Sequence, residues 1–471
     1  MTAHSQSSQV YALSDVQKFY DFKEQHKRTS GKVYVGAQLA DNVVFDLKQI
    51  QAKVLELMKE HSQLHIQVTP NHEVYQLNLD ALNLDDFVYV HLDNEYENID
   101  DIKLVHYFLH EPPMNGCDNI PLWRLVYLPK LRFLIFNFGH TFYDGISGAA
   151  FLRELFEKLS DPHKKSKIVD YKQKFKGNVV DEKLLNIGVV DIYPRPTLSY
   201  NLIKSVCWDY LKQNVLEPVV MAAITFQPQL LKYRVFQLYN RYTCKNIKPR
   251  SNEYIDKHKC VRIDADQTRS LISYCKKHGV TLNTLQVSLL SLTSPLSYNK
   301  EPFVSKINIP INMRPRLFDS SDSFKQNVIA LAISATQVTS LPISKKTKND
   351  RFHFNDFLLK MDSHIKKSIE GALDMASYTI ASFYRNSPQS LLPAEPSVDG
   401  ELSNLGLLKH QLIKDVIFNQ GVEPCNYMNV SAIGGAQGTR FSFMWYSGSN
   451  GEIEKRIEDF EKLLHWVIKE A

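Results

Sequence analysis

The chain has 471 residues, 44% hydrophobic and 23% charged, a composition that supports a large buried core and excludes disorder as the dominant state. Its 56 Lys and Arg against 51 Asp and Glu leave a net charge of +5, too small over so large a surface to indicate nucleic-acid binding. The length exceeds one ordinary core and is read as two closely joined domains.

The first ten residues, MTAHSQSSQV, lack the basic start and apolar stretch of a secretory signal, so an intracellular location is expected. Ser14 to His26 reads as a short helix, Lys32 to Leu39 as a strand, and Val44 to Glu60 as a helix with Val44, Leu47, Ile50, Val54 and Leu57 on one face. Two β-rich runs, Leu122 to Leu128 and Leu131 to Phe138, flank Pro129-Lys130 and predict a hairpin with a tight turn in a buried sheet. Ile146 to Leu159 then carries an apolar helical stripe. The following basic, Pro-containing stretch, Asp161 to about Pro196, reads as a crossover or surface linker. The apolar run Val219 to Phe226 falls far short of the ~20 residues that span a bilayer, so no transmembrane helix is expected.

The second half resumes with a strand at Cys260 to Asp264, helices at Asp266 to His278 and Thr281 to Leu290, and a strand at Val304 to Ile311. Gly438 to Tyr446 reads as a strand. Glu452 to Lys469 reads as a helix with Ile453, Ile457, Phe460, Leu464 and Val467 facing a core. The six cysteines are scattered, with no C-x-x-C pair; reduced, mostly buried thiols and no metal site are expected.

Chemistry concentrates in His140-Thr-Phe-Tyr-Asp144-Gly145, between the strand and the helix that follows it. Histidine suits removal of a proton from an alcohol or amine near neutral pH, because its ordinary pKa is about 6.5. H-x-x-x-D alone is weak: with 16 histidines roughly one chance match is expected. The strand before it, the amphipathic helix after it and Gly145, which would permit a sharp strand-to-helix turn, carry the weight. The alternative for His140 is a core histidine satisfied by a backbone carbonyl. Asp144 could contact the imidazole as in a triad, or cap the helix and pair with a distant Arg; the structural role is favoured. There is no H-E-x-x-H, P-loop or G-x-G-x-x-G, and Gly145-Ile-Ser-Gly-Ala149 fails as a serine elbow at its last position.

The stretch from Pro121-Leu-Trp-Arg124 through His140 and Asp144-Gly145 to Phe151-Leu-Arg-Glu-Leu155 resembles the H-x-x-x-D-G acyltransferase superfamily, which includes plant BAHD acyltransferases, chloramphenicol acetyltransferase and peptide-synthetase condensation domains. Within it the chain is most similar to the fungal alcohol O-acetyltransferases, a family with a yeast N-acetyltransferase of sphingoid-base analogues. Pro310-Ile-Asn-Met-Arg-Pro-Arg-Leu317, Asn327-Val328, Ser403-Asn-Leu-Gly406 and Gly438 to Tyr446 support the likeness. The departures are Gly139, where many relatives place a second histidine, Gln326 in place of Gly, and the absence of D-F-G-W-G.

The resemblance implies an α/β (α+β) fold of two chloramphenicol-acetyltransferase-like domains, residues 1–195 and 196–471, with mixed sheets flanked by helices and an active-site channel at their interface. It implies acetyl-CoA as co-substrate, no permanently bound cofactor, His140 as general base, and an ion pair of Asp144 with Arg314, or failing that Arg316. Asn404 is a candidate for contact with the oxyanion or substrate, with capping as its competing role. The expected acceptor is a hydrophobic alcohol. A sphingoid-type amine is the alternative, and a non-catalytic binding protein on the same fold a further one. A monomer is expected, and peripheral contact with endoplasmic reticulum or lipid-droplet membranes stays open.

Overall fold

A computed structural model of the protein describes residues 11–13, 15–25, 31–69, 71–110, 120–161, 256–294, 305–317, 329–341, 343, 347, 350–386, 398–423, 426–447 and 450–471. The expected linker, the run Val219 to Phe226, the boundary at 195/196, Gln326 and Asn327-Val328 lie outside the described residues.

In chain order the elements are β1 (Tyr11–Ala12), α1 (Asp15–Gln25), β2 (Lys32–Leu39), α2 (Leu47–Glu60), β3 (Ile66–Val68), β4 (Glu73–Gln76), β5 (Val88–Val90), α3 (Ile102–His110), β6 (Trp123–Leu128), β7 (Phe133–Gly139) and α4 (Gly145–Ser160). The second half contributes β8 (Asp256–Asp264), α5 (Ala265–Lys277), α6 (Leu282–Leu292), β9 (Lys306–Asn312), the single turn α7 (Arg314–Leu317), β10 (Ile333–Thr339), α8 (Arg351–Asn386), β11 (Gly400–Leu407), β12 (Ile413–Gln420), β13 (Met428–Gly435), β14 (Gly438–Tyr446) and α9 (Asn450–Glu470).

Two mixed sheets organise these elements. The first has the order β12-β2-β7-β6-β5, antiparallel except for the β6–β5 pair. The second has the order β10-β9-β11-β13-β14-β8, with β11 parallel to both neighbours. A small sheet, β1-β4-β3, stands beside the first. The strands do not divide between the sheets at one point in the chain: β12, from the second half, edges the first sheet by pairing Phe418 with Val35.

β7 is buried along its whole length, as a strand covered on both faces must be. Phe136 and Phe138 pack with Phe151, Leu152 and Leu155 of α4 and Val54 and Leu57 of α2. Ile135, on the opposite face, packs with Phe108 of α3. Asn137 interrupts the apolar run; its Nδ2 donates to the Phe108 carbonyl at 2.8 Å, while its Oδ1 is buried with no hydrogen-bond partner. The second sheet is covered by α5, α6, α8 and α9. All five apolar positions expected on α9 are fully buried. Among the described residues, no helix is long and apolar enough to cross a membrane.

Two local expectations change. Helix α2 starts at Leu47 rather than Val44, which is 81% exposed, because Asp46 takes the cap position and Gln49 Oε1 accepts from its amide at 3.3 Å. The β6–β7 connection is not a two-residue turn but runs from Pro129 to Arg132, the last at φ +59°. Its amides are satisfied from outside the hairpin, Lys130 and Leu131 donating to the Asp93 carboxylate at 3.0 and 2.7 Å.

Candidate active site

β7 ends at Gly139 and α4 begins at Gly145, so the five intervening residues hold His140 at the rim of the first sheet, facing the second. Its Nδ1 lies 2.9 Å from the carbonyl oxygen of Tyr143. A carbonyl can only accept, so Nδ1 carries the proton and Nε2 is left with its lone pair. Tyr143 is itself fixed, its hydroxyl donating to the Gln63 carbonyl at 2.5 Å. The backbone contact that would satisfy a merely structural histidine is therefore the same contact that selects the basic tautomer.

Burial, followed by the positive charge of Lys23, pushes the His140 pKa down to about 4, against the opposing pull of Asp144 and Glu423. The imidazole is neutral at pH 7. The Tyr20 ring of α1 lies 5.0 Å from it, centroid to centroid.

Asp144 does not turn toward His140. It caps α4, accepting from Ser147 N at 2.8 Å, and its two oxygens take Arg314 Nη1 and Nη2, each at 2.8 Å, and the amide of Ala332 at 3.0 Å. Arg314 is fully buried and Asp144 2% exposed. Arg314 also donates to Ala330 O at 2.8 Å and Ser147 Oγ at 3.0 Å. Burial alone would raise the Asp144 pKa, but the guanidinium and the amide donors hold it below the usual carboxylate range. This network joins the β7–α4 turn to the end of β9 and the segment before β10.

Gly145 is a glycine for a different reason than the turn. Its φ is not in the left-handed region; instead a Cβ there would come 2.5 Å from Leu405 Cδ2 of β11. At Gly139, the departure noted in the sequence, the Glu24 carboxylate of α1 occupies the space that a Cβ would take.

His140 opens into a cleft between the two sheets. Its walls include Tyr20, Val33, Ile146, Ile311, Leu405, Phe418 and Val422, with Glu401, Ser403, Asn404, Gln420 and Glu423 as the polar part. Asn404 stands on this wall, but its amide is engaged at both ends, Nδ2 donating to Gln286 Oε1 at 2.9 Å and Oδ1 accepting from Gly406 N at 2.8 Å. It pins the irregularity in β11 between Asn404 and Leu407, where Gly406 takes φ +73°. The Arg316 side chain lies outside the described residues.

Tyr20, Lys23, Glu401 and Glu423 were not singled out in the sequence. Lys23 and Glu423 form an ion pair beside the cleft. Glu401 accepts from Gln420 Nε2 at 2.8 Å and Ser403 Oγ at 3.2 Å. Burial, then the charge of Glu423, pushes its pKa up to about 7. Nothing in the local pattern marks these residues. Ser147 was legible, since Asp followed three positions later by a hydrogen-bonding residue is a capping signature.

The chain matches the family described as alcohol acetyltransferase over residues 32–433. No curated protein sequence matches it. Among solved structures it is similar to the TRI3 trichothecene 15-O-acetyltransferase of Fusarium sporotrichioides, with 13% identity, TM-score 0.65, and coverage of 97% of this chain and 95% of that one. It is also similar to the epimerization domain from the third module of tyrocidine synthetase B (13% identity, TM-score 0.58, 100% and 99% covered). A third likeness is to the condensation domain of the monacolin K polyketide synthase MokA (10% identity, TM-score 0.57, 98% and 97% covered). At these identities the structures establish a shared fold, and the family match establishes descent: the chain belongs to the alcohol acetyltransferase family and is an acyltransferase.

Proposed function

We propose that the protein transfers an acetyl group from acetyl-CoA to the hydroxyl of a hydrophobic alcohol, with His140 Nε2 as general base. The observation that carries this reading is the tautomer: the Tyr143 carbonyl holds the Nδ1 proton, which leaves Nε2 as the basic nitrogen of a residue that lines the cleft.

The acceptor oxygen attacks the thioester carbon while its proton passes to Nε2. The tetrahedral intermediate collapses, the C–S bond breaks, and the same proton leaves Nε2 for the sulfur. No covalent acyl-enzyme is required, and no permanently bound cofactor. Asp144 and Arg314 act as a clamp that fixes the turn carrying His140, since both Asp144 oxygens are taken by the guanidinium and by backbone amides. The division into 1–195 and 196–471 is retained as a proposal for the chain's two domains, with β12 reaching across it.

A second reading, transfer to the amine of a long-chain amino alcohol, is favoured by one observation. Glu401 lines the same cleft as His140 and offers a carboxyl group to the polar head of an amino alcohol.

Free-thiol release from acetyl-CoA, measured with alcohols, sterols and long-chain amino alcohols, tests both readings. Acceptor-dependent release that falls about 10²–10⁴-fold in His140→Ala, with unchanged melting temperature, is the expected result. Equal release by the variant would remove the base. Because a base must be neutral, kcat/KM should rise with pH through about 4 and stay level between pH 5 and 6.5, whereas an unperturbed histidine would place that limb near 6.5.

A further inference from the structure

His106 and His110 lie four residues apart on α3, one turn of helix, so their imidazoles project from the same face. Asp256, the first residue of β8, meets them from the second half of the chain. Its carboxylate Oδ2 is 2.7 Å from His110 Nε2, and its backbone oxygen is 3.0 Å from His106 Nε2. One donor atom from each of the three side chains lies within 4.8 Å of the others.

The carboxylate is only half used. The Asp256 side chain is 2% exposed, and its Oδ1 is buried with no hydrogen-bond partner. Among the described residues no Lys or Arg pairs with it, whereas Asp100 and Asp415, further along the same seam, are paired with Arg440 at 2.6 and 2.9 Å. A buried carboxylate with one oxygen unpartnered, beside two imidazoles and, among the described residues, no Lys or Arg, is suited to a cation that comes from outside.

We propose that His106, His110 and Asp256 bind one divalent transition-metal ion of the zinc class, joining α3 to β8. Two imidazoles and one carboxylate select such an ion over Ca²⁺ or Mg²⁺, which prefer oxygen ligands. With bonds near ~2.1 Å, tetrahedral ligation draws donor atoms to about 3.4 Å apart, between the 2.7 Å of the His110–Asp256 contact and the 4.8 Å that bounds the set. Ligation replaces the His106 Nε2–Asp256 carbonyl hydrogen bond and the His110–Asp256 contact: each neutral imidazole carries its single proton on the nitrogen that does not bind, and water fills the fourth position. The sequence hides the site because its third ligand is 146 positions from His110. The ion would tie the two halves of the molecule together without taking part in acyl transfer.

The test uses the full chain, stripped with EDTA, dialysed, and titrated with ZnCl₂ in a calorimeter. One equivalent of Zn²⁺ per chain and a rise in Tm of about 2–5 °C at saturation are expected. Excess Mg²⁺ should not displace it. The double variant His106→Ala/His110→Ala should keep the metal-free Tm of the parent and lose both the binding and the rise. Should that variant fail to fold, His110→Gln at the half-exposed position should fold and weaken Zn²⁺ binding on the order of tenfold or more. No zinc binding by the parent chain, unchanged affinity in the folded variant, or displacement by Mg²⁺ would overturn the site.

Discussion

Two of the carboxylates that line the cleft, Asp144 and Glu401, differ in kind. Asp144 is locked by a two-pronged guanidinium and two backbone amides, and its pKa lies below the usual range despite full burial. Glu401 accepts from two amides and a hydroxyl but, among the described residues, pairs with no cation, Lys23 being paired with Glu423, and its pKa is pushed up to about 7. Depth does not decide which group carries charge at pH 7. The nearest fixed cation does, and it divides the cleft into a rigid, permanently ionised side and a side that titrates under working conditions.

The largest effect should come from breaking the rigid side. Arg314→Met leaves Asp144 ionised and uncompensated in a dry site, and Asp144→Asn leaves the guanidinium in the same position. Each should cost about 3–5 kcal/mol in chemical denaturation, with activity falling as the His140 turn loosens. Removing both charges in Arg314→Met/Asp144→Leu should recover part of the stability, since a buried pair is destabilising chiefly when half of it remains. Wild-type midpoints in both single variants would show that the clamp is not one.

Glu401 gives a smaller effect with the opposite sign. Its folded pKa of about 7 stands above the ordinary 4.5, so between these values the folded chain holds a proton that the unfolded chain has released. Stability therefore falls as pH rises through that window. A shift of this size corresponds to about 3 kcal/mol for a fully desolvated group, and about 1–2 kcal/mol once screening by the open cleft is allowed for. Glu401→Gln should flatten that part of the stability profile. If the second reading holds, it should also raise KM for amino alcohols more than for neutral alcohols. An unaltered pH slope in the variant would show that Glu401 is ionised like Asp144.

What the sequence reveals follows the same division. β2, β7, α4 and α9 are legible because each buries a continuous or periodic apolar set that a local window can see. The Asp144 network is half legible: the helix start is local, while its Arg314 partner, 170 positions away, was reached through family likeness alone. β11, Gly-Glu-Leu-Ser-Asn-Leu-Gly-Leu, has little strand character of its own and exists because β9 and β13 pair with it on either side. Glu401 rides on that strand and becomes visible only in three dimensions, whereas Asn404, on the same strand, was reached through family likeness. Gly145 shows the converse, a residue rightly noticed for a reason the structure replaces with the nearness of Leu405.

Asn404→Ala should produce the smallest change, and it separates the two roles left open for that side chain. As a pin for the β11 irregularity it contributes two hydrogen bonds, to Gln286 and from Gly406. Their loss should cost about 1–2 kcal/mol of stability and less than tenfold in kcat. As an oxyanion donor it would instead cost about 10²–10³ in kcat with little loss of stability. The committed geometry of the amide favours the first outcome. A large kcat defect in a variant of unchanged Tm would return Asn404 to the chemistry, and would mean that its bond to Gln286 opens when the thioester binds.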